Sequence, residues 1–186
     1  MPIFVPVEGK GVARFTETPA TVARRAENRL VLPLPTVGLD PSGQALVNLA
    51  EWFWIPRAQW RPLTQRTAAG PVWAKVTARP VSTSWNPGDG SPAVKCAGPG
   101  TPYDRSLPAS AQSTECSYTY TESSAGQPQT GPNPNDRYFT VTVTTTWAVS
   151  WVGAGGANGM LPAMTRTRSF RLPVAQRETV VTGGSG

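Results

Sequence analysis

The chain has 186 residues with 15% charged side chains, 20 Pro and 18 Gly, a length for one domain with an extension and a mix that excludes long helical architecture. It contains no histidine and two cysteines, which excludes Ser-His-Asp and Cys-His catalysis, His-containing zinc sites and four-thiolate metal sites. Net charge is +6, from 14 Arg and 3 Lys, with no Lys/Arg run of the kind that binds nucleic acid as a tail.

In chain order, Pro2-Ile-Phe-Val-Pro-Val7 reads as extended, and Gly9 and Gly11 argue against a helix there. Thr18-Pro19 is a helix start, since Thr caps and Pro suits the first helical position. From Ala20 to Leu30, Val22, Ala23, Ala26 and Leu30 fall on one side, and Arg24, Arg25 and Arg29 on the other. A short amphipathic helix over about 19–30 is expected, marginal alone and so docked on something. Leu30–Pro35 is extended and apolar, and its prolines keep it out of a central strand. Asp40-Pro-Ser-Gly43 signals a turn. Residues 45–55 are too apolar for a surface loop, and Glu51–Ile55 reads as a buried or interface strand.

After Gln59-Trp60-Arg-Pro62, Leu63–Ala68 is a weak strand and Gly70-Pro71 a turn. Val72–Arg79 is a strand with Val72, Ala74, Val76 and Ala78 on one face. Pro80 breaks it, and Val81, Thr83 and Trp85 alternate inward in the next strand. Residues 91–114 form a long Pro/Gly/Ser-rich loop. Ser117–Glu122 is a strand, and residues 123–136 are a polar loop. Phe139, Val141, Val143, Thr145, Trp147, Val149 and Trp151 then share one face, with Thr140, Thr142, Thr144, Thr146 and Ser150 on the other. That period of two makes a long half-buried strand. Gly153–Gly159 turns the chain, and Thr165–Val174 supplies a last strand. Many short strands with turn signals indicate an antiparallel sandwich.

Cys96 and Cys116 flank an unpatterned segment, and a disulfide is the economical reading. Closing such a loop contributes about 3 kcal/mol, and a structural disulfide implies a secreted or envelope-exposed protein. Met1-Pro2 and Gly183-Gly-Ser-Gly186 read as an added initiator and a linker or tag remnant on the exported part of a longer precursor. No apolar run is long enough to span a membrane. A basic surface suits acidic partners, such as anionic cell-wall polymers or phospholipid heads, or simply solubility.

Trp85-Asn-Pro-Gly-Asp-Gly90, then Tyr118-Thr-Tyr120, then Tyr138-Phe-Thr-Val-Thr-Val143 resembles the PKD family over about residues 70–152. That family is immunoglobulin-like, with an aromatic-x-x-Gly-Asp-Gly motif, a later His-Thr-Tyr and a Tyr-x-Val-x-Leu-x-Val strand. Here Asn86-Pro87 replaces the usual Asp-Phe, Ser117-Tyr118 covers the His position, and the two linking loops are enlarged. Trp52-Phe-Trp54, Gln59-Trp60, Cys96–Tyr103 and Ser123–Gly126 also resemble a group of uncharacterised secreted actinobacterial proteins. The resemblance implies non-catalytic spacing, adhesion and protein or polysaccharide contact at cell surfaces.

Asp89, between two glycines, is either a calcium or catalytic carboxylate or the residue that locks the turn. Its acidic companions would be Asp104, Glu115 and Glu122, scattered and without a motif, and the turn reading is preferred. Trp52 and Trp54, with Trp60, either stack on a sugar or protein partner or cover one open side of the sandwich. Tyr103, in the stapled loop, is a contact or a loop anchor. Trp147 and Trp151 read as core, and Arg166, Arg168 and Arg171 as solvating or ion-paired side chains.

The expectation is therefore an all-β, immunoglobulin/PKD-like antiparallel β-sandwich with a short N-terminal helix and extended segment. Residues 1–62 form an extension docking on a sandwich of residues 63–181, and 182–186 are a linker. The structural turn is Trp85, Gly88, Asp89 and Gly90, and the candidate binding residues are Trp52, Trp54, Trp60 and Tyr103. No catalytic residue, metal or cofactor is expected, and no nucleic acid partner. The expected partner is another envelope or extracellular protein, with a cell-wall glycan as the alternative and a hydrolase a distant third.

Overall fold

The computed structural model describes residues 17–134 and 136–176. The readings on Pro2–Val7 and on residues 182–186 lie outside them. The elements in order are α1 (Pro19–Arg29), β1 (Gly38–Asp40), β2 (Ala45–Leu46), β3 (Ala50–Trp54), β4 (Leu63–Ala69), β5 (Val72–Asn86), β6 (Val94–Cys96), β7 (Ser117–Thr119), β8 (Phe139–Gly153), β9 (Asn158–Leu172) and β10 (Val174–Ala175). The chain is mostly β, its sheets antiparallel apart from the two-residue parallel pair of β10 with β2. No described helix is long and apolar enough to cross a membrane.

The large sheet runs β4-β5-β8-β9, with β6 pairing to the second half of β5. The alternation in β8 places Val141, Val143, Thr145, Trp147 and Val149 inward and buried, and its other threonines outward. A three-stranded sheet, β1-β3-β7, packs on that inner face to give a sandwich-like pair of layers. Phe53 of β3 stacks on Trp85 of β5, ring centroids 5.0 Å apart and 11° from parallel.

Pro80 does not end a strand. β5 is continuous from Val72 to Asn86, with one irregularity between Pro80 and Ser82. Proline is tolerated because β4 pairs only as far as Ala78 and β6 begins at Thr83, leaving that stretch of β5 an edge. Val81 is the extra residue and points to solvent at 43% exposure, contrary to the inward expectation. The insertion swaps parity, so that Ala74, Val76 and Ala78 share the inner face with Thr83 and Trp85. β9 carries its own irregularity opposite Trp147 and Val149. The two bulges flank Trp147 and divide the long sheet into halves with different covers.

The half holding Ala74, Val76, Ala78, Val149 and Trp151 is covered by α1 through Val22, Ala23 and Ala26. Thr18 Oγ1 caps that helix by accepting from the Thr21 amide at 3.2 Å, and Pro19 occupies its first turn. The other half, with Trp85, Val141 and Val143, is covered by the smaller sheet. Residues before 63 thus supply α1 over one half and β1 and β3 over the other. The extended segment between them buries Leu32. Its carbonyls accept from β9, Leu32 from Arg166 Nε at 2.9 Å and Pro35 from Arg168 at 3.2 Å, so these arginines are not merely solvating.

Other boundaries moved by a few residues. β9 begins at Asn158 rather than Thr165, because a short 3-10 turn at Ala154–Gly156, with Gly155 and Gly156 at positive φ, suffices to reverse the chain. The strand expected over Ser117–Glu122 spans only Ser117–Thr119.

Candidate functional site

Cys96 and Cys116 are joined in a disulfide with Cα atoms 5.7 Å apart, linking β6 of the large sheet to the residue preceding β7 of the small one. Between them the loop is held by its own polar groups. Asp104 accepts from the Ser106 amide at 2.9 Å and hydroxyl at 2.6 Å. Gln112 accepts from the Asp104 amide and donates to the Asp104 carbonyl, both at 2.8 Å. This clamp sets out Tyr103 and Arg105 on either side of Asp104.

β3 alternates Glu51 and Phe53 inward with Trp52 and Trp54 outward. On its outer face the Tyr103 ring meets Trp52 edge to face, centroids 5.1 Å apart and planes at 84°. Asp40, paired with Trp52 across β1 and β3, accepts from Arg105 at 2.5 Å. Trp52, Tyr103, Asp40, Arg105, Leu49 and Pro41 line an open groove of about 510 Å³. Its wall is aromatic and aliphatic, with the Asp40–Arg105 ion pair beside the rings.

The structure thus brings Trp52 and Tyr103 together and leaves the other two candidates elsewhere. Trp54 lies over Gly38, where any Cβ would overlap the indole. Trp60 packs against the cluster around Phe53, Ile55 and Trp85. Asp40 and Arg105 were not singled out from sequence. Their partnership spans 65 residues, and no local pattern carries it.

The Gly-Asp-Gly turn is elsewhere, at the end of β5. Gly88 has φ 83° and lies so close to the Thr140 backbone that a Cβ would overlap it. Asn86 Oδ1 accepts from the Gly88 amide at 2.9 Å, and Asp89 Oδ1 from the Ser91 amide at 3.0 Å. Tyr118 donates to Asp89 Oδ2 at 2.6 Å, and Tyr120 donates to the Pro87 carbonyl at 3.0 Å. Partial burial alone would raise the Asp89 carboxyl, but the bonds from Tyr118 and Ser91 outweigh it and hold it below its usual range. Among the described residues no group of three or more acidic or cysteine side chains is placed to hold a metal ion. Trp85 Nε1 donates to Thr83 Oγ1 at 3.0 Å, completing a rigid and internally satisfied corner.

Directly behind the groove, Glu51 is fully buried, and neither carboxylate oxygen has a hydrogen-bond partner among the described residues. Loss of solvent, with the Asp40 charge adding to it, raises this carboxyl to about 8. The sequence places Glu51 at the start of a strand read as buried or interface, but nothing in it singles out the carboxyl, since Glu is rarely buried without a partner.

Comparison with protein-family models, with curated proteins and with solved structures found no match.

Proposed function

We propose that this is an exported, non-catalytic surface or assembly protein that docks a second extracellular protein in the Trp52–Tyr103 groove. The observation that carries the proposal is the edge-to-face aromatic corner beside the Asp40–Arg105 pair. Amphipathic rings next to a charged pair suit a binding hot spot, where aromatic and Arg side chains dominate. The disulfide supports an oxidising compartment and hence secretion or exposure at the cell envelope. We also assign the sandwich to the immunoglobulin/PKD type, within the secreted actinobacterial group that the sequence resembles. The turn at Gly88–Gly90, hooked by Tyr118 and Tyr120, supports the PKD assignment.

The second reading is a carbohydrate-binding module. It is favoured by the same pair, because Asp40 and Arg105 offer an acceptor and donors to hydroxyls of a sugar stacked on Trp52 or Tyr103.

The test is capture from the native host's envelope fraction, run beside binding to its isolated cell-wall polysaccharide. A discrete protein captured by the wild type and lost in Trp52→Ala and Tyr103→Ala supports the first reading. Saturable glycan binding lost in the same variants supports the second. Binding that survives both variants would sink the groove as the contact surface.

A further inference from the structure

The sandwich has a second outer face, on the far side of the large sheet from the groove. β4, β5, β6, β8 and β9 contain no Asp or Glu at all, while they hold Arg66, Lys75, Arg79, Lys95, Arg166, Arg168 and Arg171. Arg166 and Arg168 are spent on carbonyls of the segment before β1. Arg171 lies over the Tyr138 ring and within the field of Asp136. The remaining four are exposed on the outer face, and none forms an ion pair with a described residue.

These four follow β5. Arg66 is the cross-strand partner of Lys75, Arg79 is on the same face four residues on, and Lys95 pairs with Ser84. From Lys75 to Ser84 is roughly 30 Å along a strand. The surface beside this row is hydroxylic. Thr142 bonds Ser169 at 2.8 Å and Thr144 bonds Thr167 at 2.9 Å across β8 and β9. At the Pro80–Ser82 irregularity a hollow of about 390 Å³ opens, with Ser82, Ser84, Thr146 and Lys95 among its lining residues.

We propose that this face binds a linear, hydroxyl-bearing polyanion laid along β5. Its anionic groups lie against Lys75, Arg79 and Lys95, and its hydroxyls against Ser82, Ser84 and Thr146. Charge complementarity identifies the class, because a row of solvated cations on strands without Asp or Glu attracts a polymer of regularly spaced negative charge. The hydroxyl lining favours a polyol over a nucleic acid. Bases need open rings to stack on, and the aromatic residues on and beside this face lie under arginines, Trp73 under Arg66 at 4.8 Å and Tyr138 under Arg171 at 6.0 Å. Carboxylated polysaccharides and polyol phosphates share this chemistry. The inference is independent of the groove.

The probes are polygalacturonate and poly(glycerol phosphate), with neutral dextran, polyglutamate and polyuridylate as comparators at low ionic strength. Saturable binding to polygalacturonate, to poly(glycerol phosphate) or to both is expected, and which one binds identifies the source of the charge. Affinity should fall as salt rises and drop at least about tenfold when Lys75, Arg79 and Lys95 are all changed to Ala. Trp52→Ala should leave it intact, and the wild-type melting temperature in the triple variant serves as the fold control. If that variant melts early, Lys75→Gln with Arg79→Gln replaces it. Failure to bind either polyol polyanion, binding unchanged in the charge variants, or equal retention of polyglutamate or polyuridylate would overturn the proposal.

Discussion

The hydroxyl of Tyr118 donates to Asp89 Oδ2 over 2.6 Å and so fastens the turn after β5 to a strand of the opposite sheet. The partner is an ionised carboxylate, and a hydrogen bond to a charge is worth about 1.5–3 kcal/mol. Asp89→Ala should therefore lower stability by about 1–3 kcal/mol and leave the binding proposed for the groove unchanged per folded molecule. The Asp89 carboxyl is held below its usual 3.8, so its contribution is present above that value and is lost as pH falls through the folded-state value. Asp89→Asn should flatten this acid limb of a melting-temperature profile, and an unaltered limb would contradict the assignment.

Glu51 acts in the opposite direction. Its folded-state value of about 8 lies above its ordinary 4.5, so the folded chain holds a proton that the unfolded chain gives up. Stability is unaffected below 4.5, declines as pH rises toward 8, and levels off beyond, by an amount on the order of 3–5 kcal/mol. Glu51→Leu should remove the slope and raise the melting temperature most at alkaline pH. Denaturant unfolding at several pH values checks this. A wild-type profile flat between those limits would mean the carboxyl is solvated.

Gly88 and Gly90 make a matched pair for mutation. Both have positive φ, but a Cβ at Gly88 meets the Thr140 backbone while one at Gly90 meets open space. Gly88→Ala should cost about 2–4 kcal/mol and Gly90→Ala about 1–2 kcal/mol, the latter from the backbone conformation alone. Equal losses would show that the close approach to Thr140 carries no weight.

Removing the bridge with Cys96→Ser should cost about 2–5 kcal/mol. Because it joins the two sheets near Phe53 and Trp85, the loss should also weaken protection of amides in β7 more than in the α1-covered half. Hydrogen exchange on the oxidised and reduced protein measures the difference, and uniform loss would contradict a local role.

The half-buried strand β8 was legible because an unbroken alternation from Phe139 to Trp151 admits one geometry. Helix α1 was legible for a similar reason: Thr18, Pro19 and a stripe of small apolar residues agree. β5 misled because a proline inside an alternating run normally ends it, and its tolerance depends on where β4 stops and β6 starts. Those are tertiary facts. In the groove, Trp52 stood out by type and its meeting with Tyr103 did not, since the loop is positioned by the Gln112 clamp and the disulfide. Glu51 was invisible because its environment is built by strands far away in sequence.

The division of the large sheet at Trp147 also governs when the protein can assemble. Much of each cover precedes what it covers: Val22 and Ala26 meet Ala74, Val76 and Ala78 of β5 and then Trp147, Val149 and Trp151 of β8, and Phe53 meets Trp85 before Val143. A chain emerging amino end first can therefore lay α1 on β5 early, but neither half of the core closes until β8 arrives, more than a hundred residues after α1. Such distant pairings fold late and leave the chain prone to aggregation until they close.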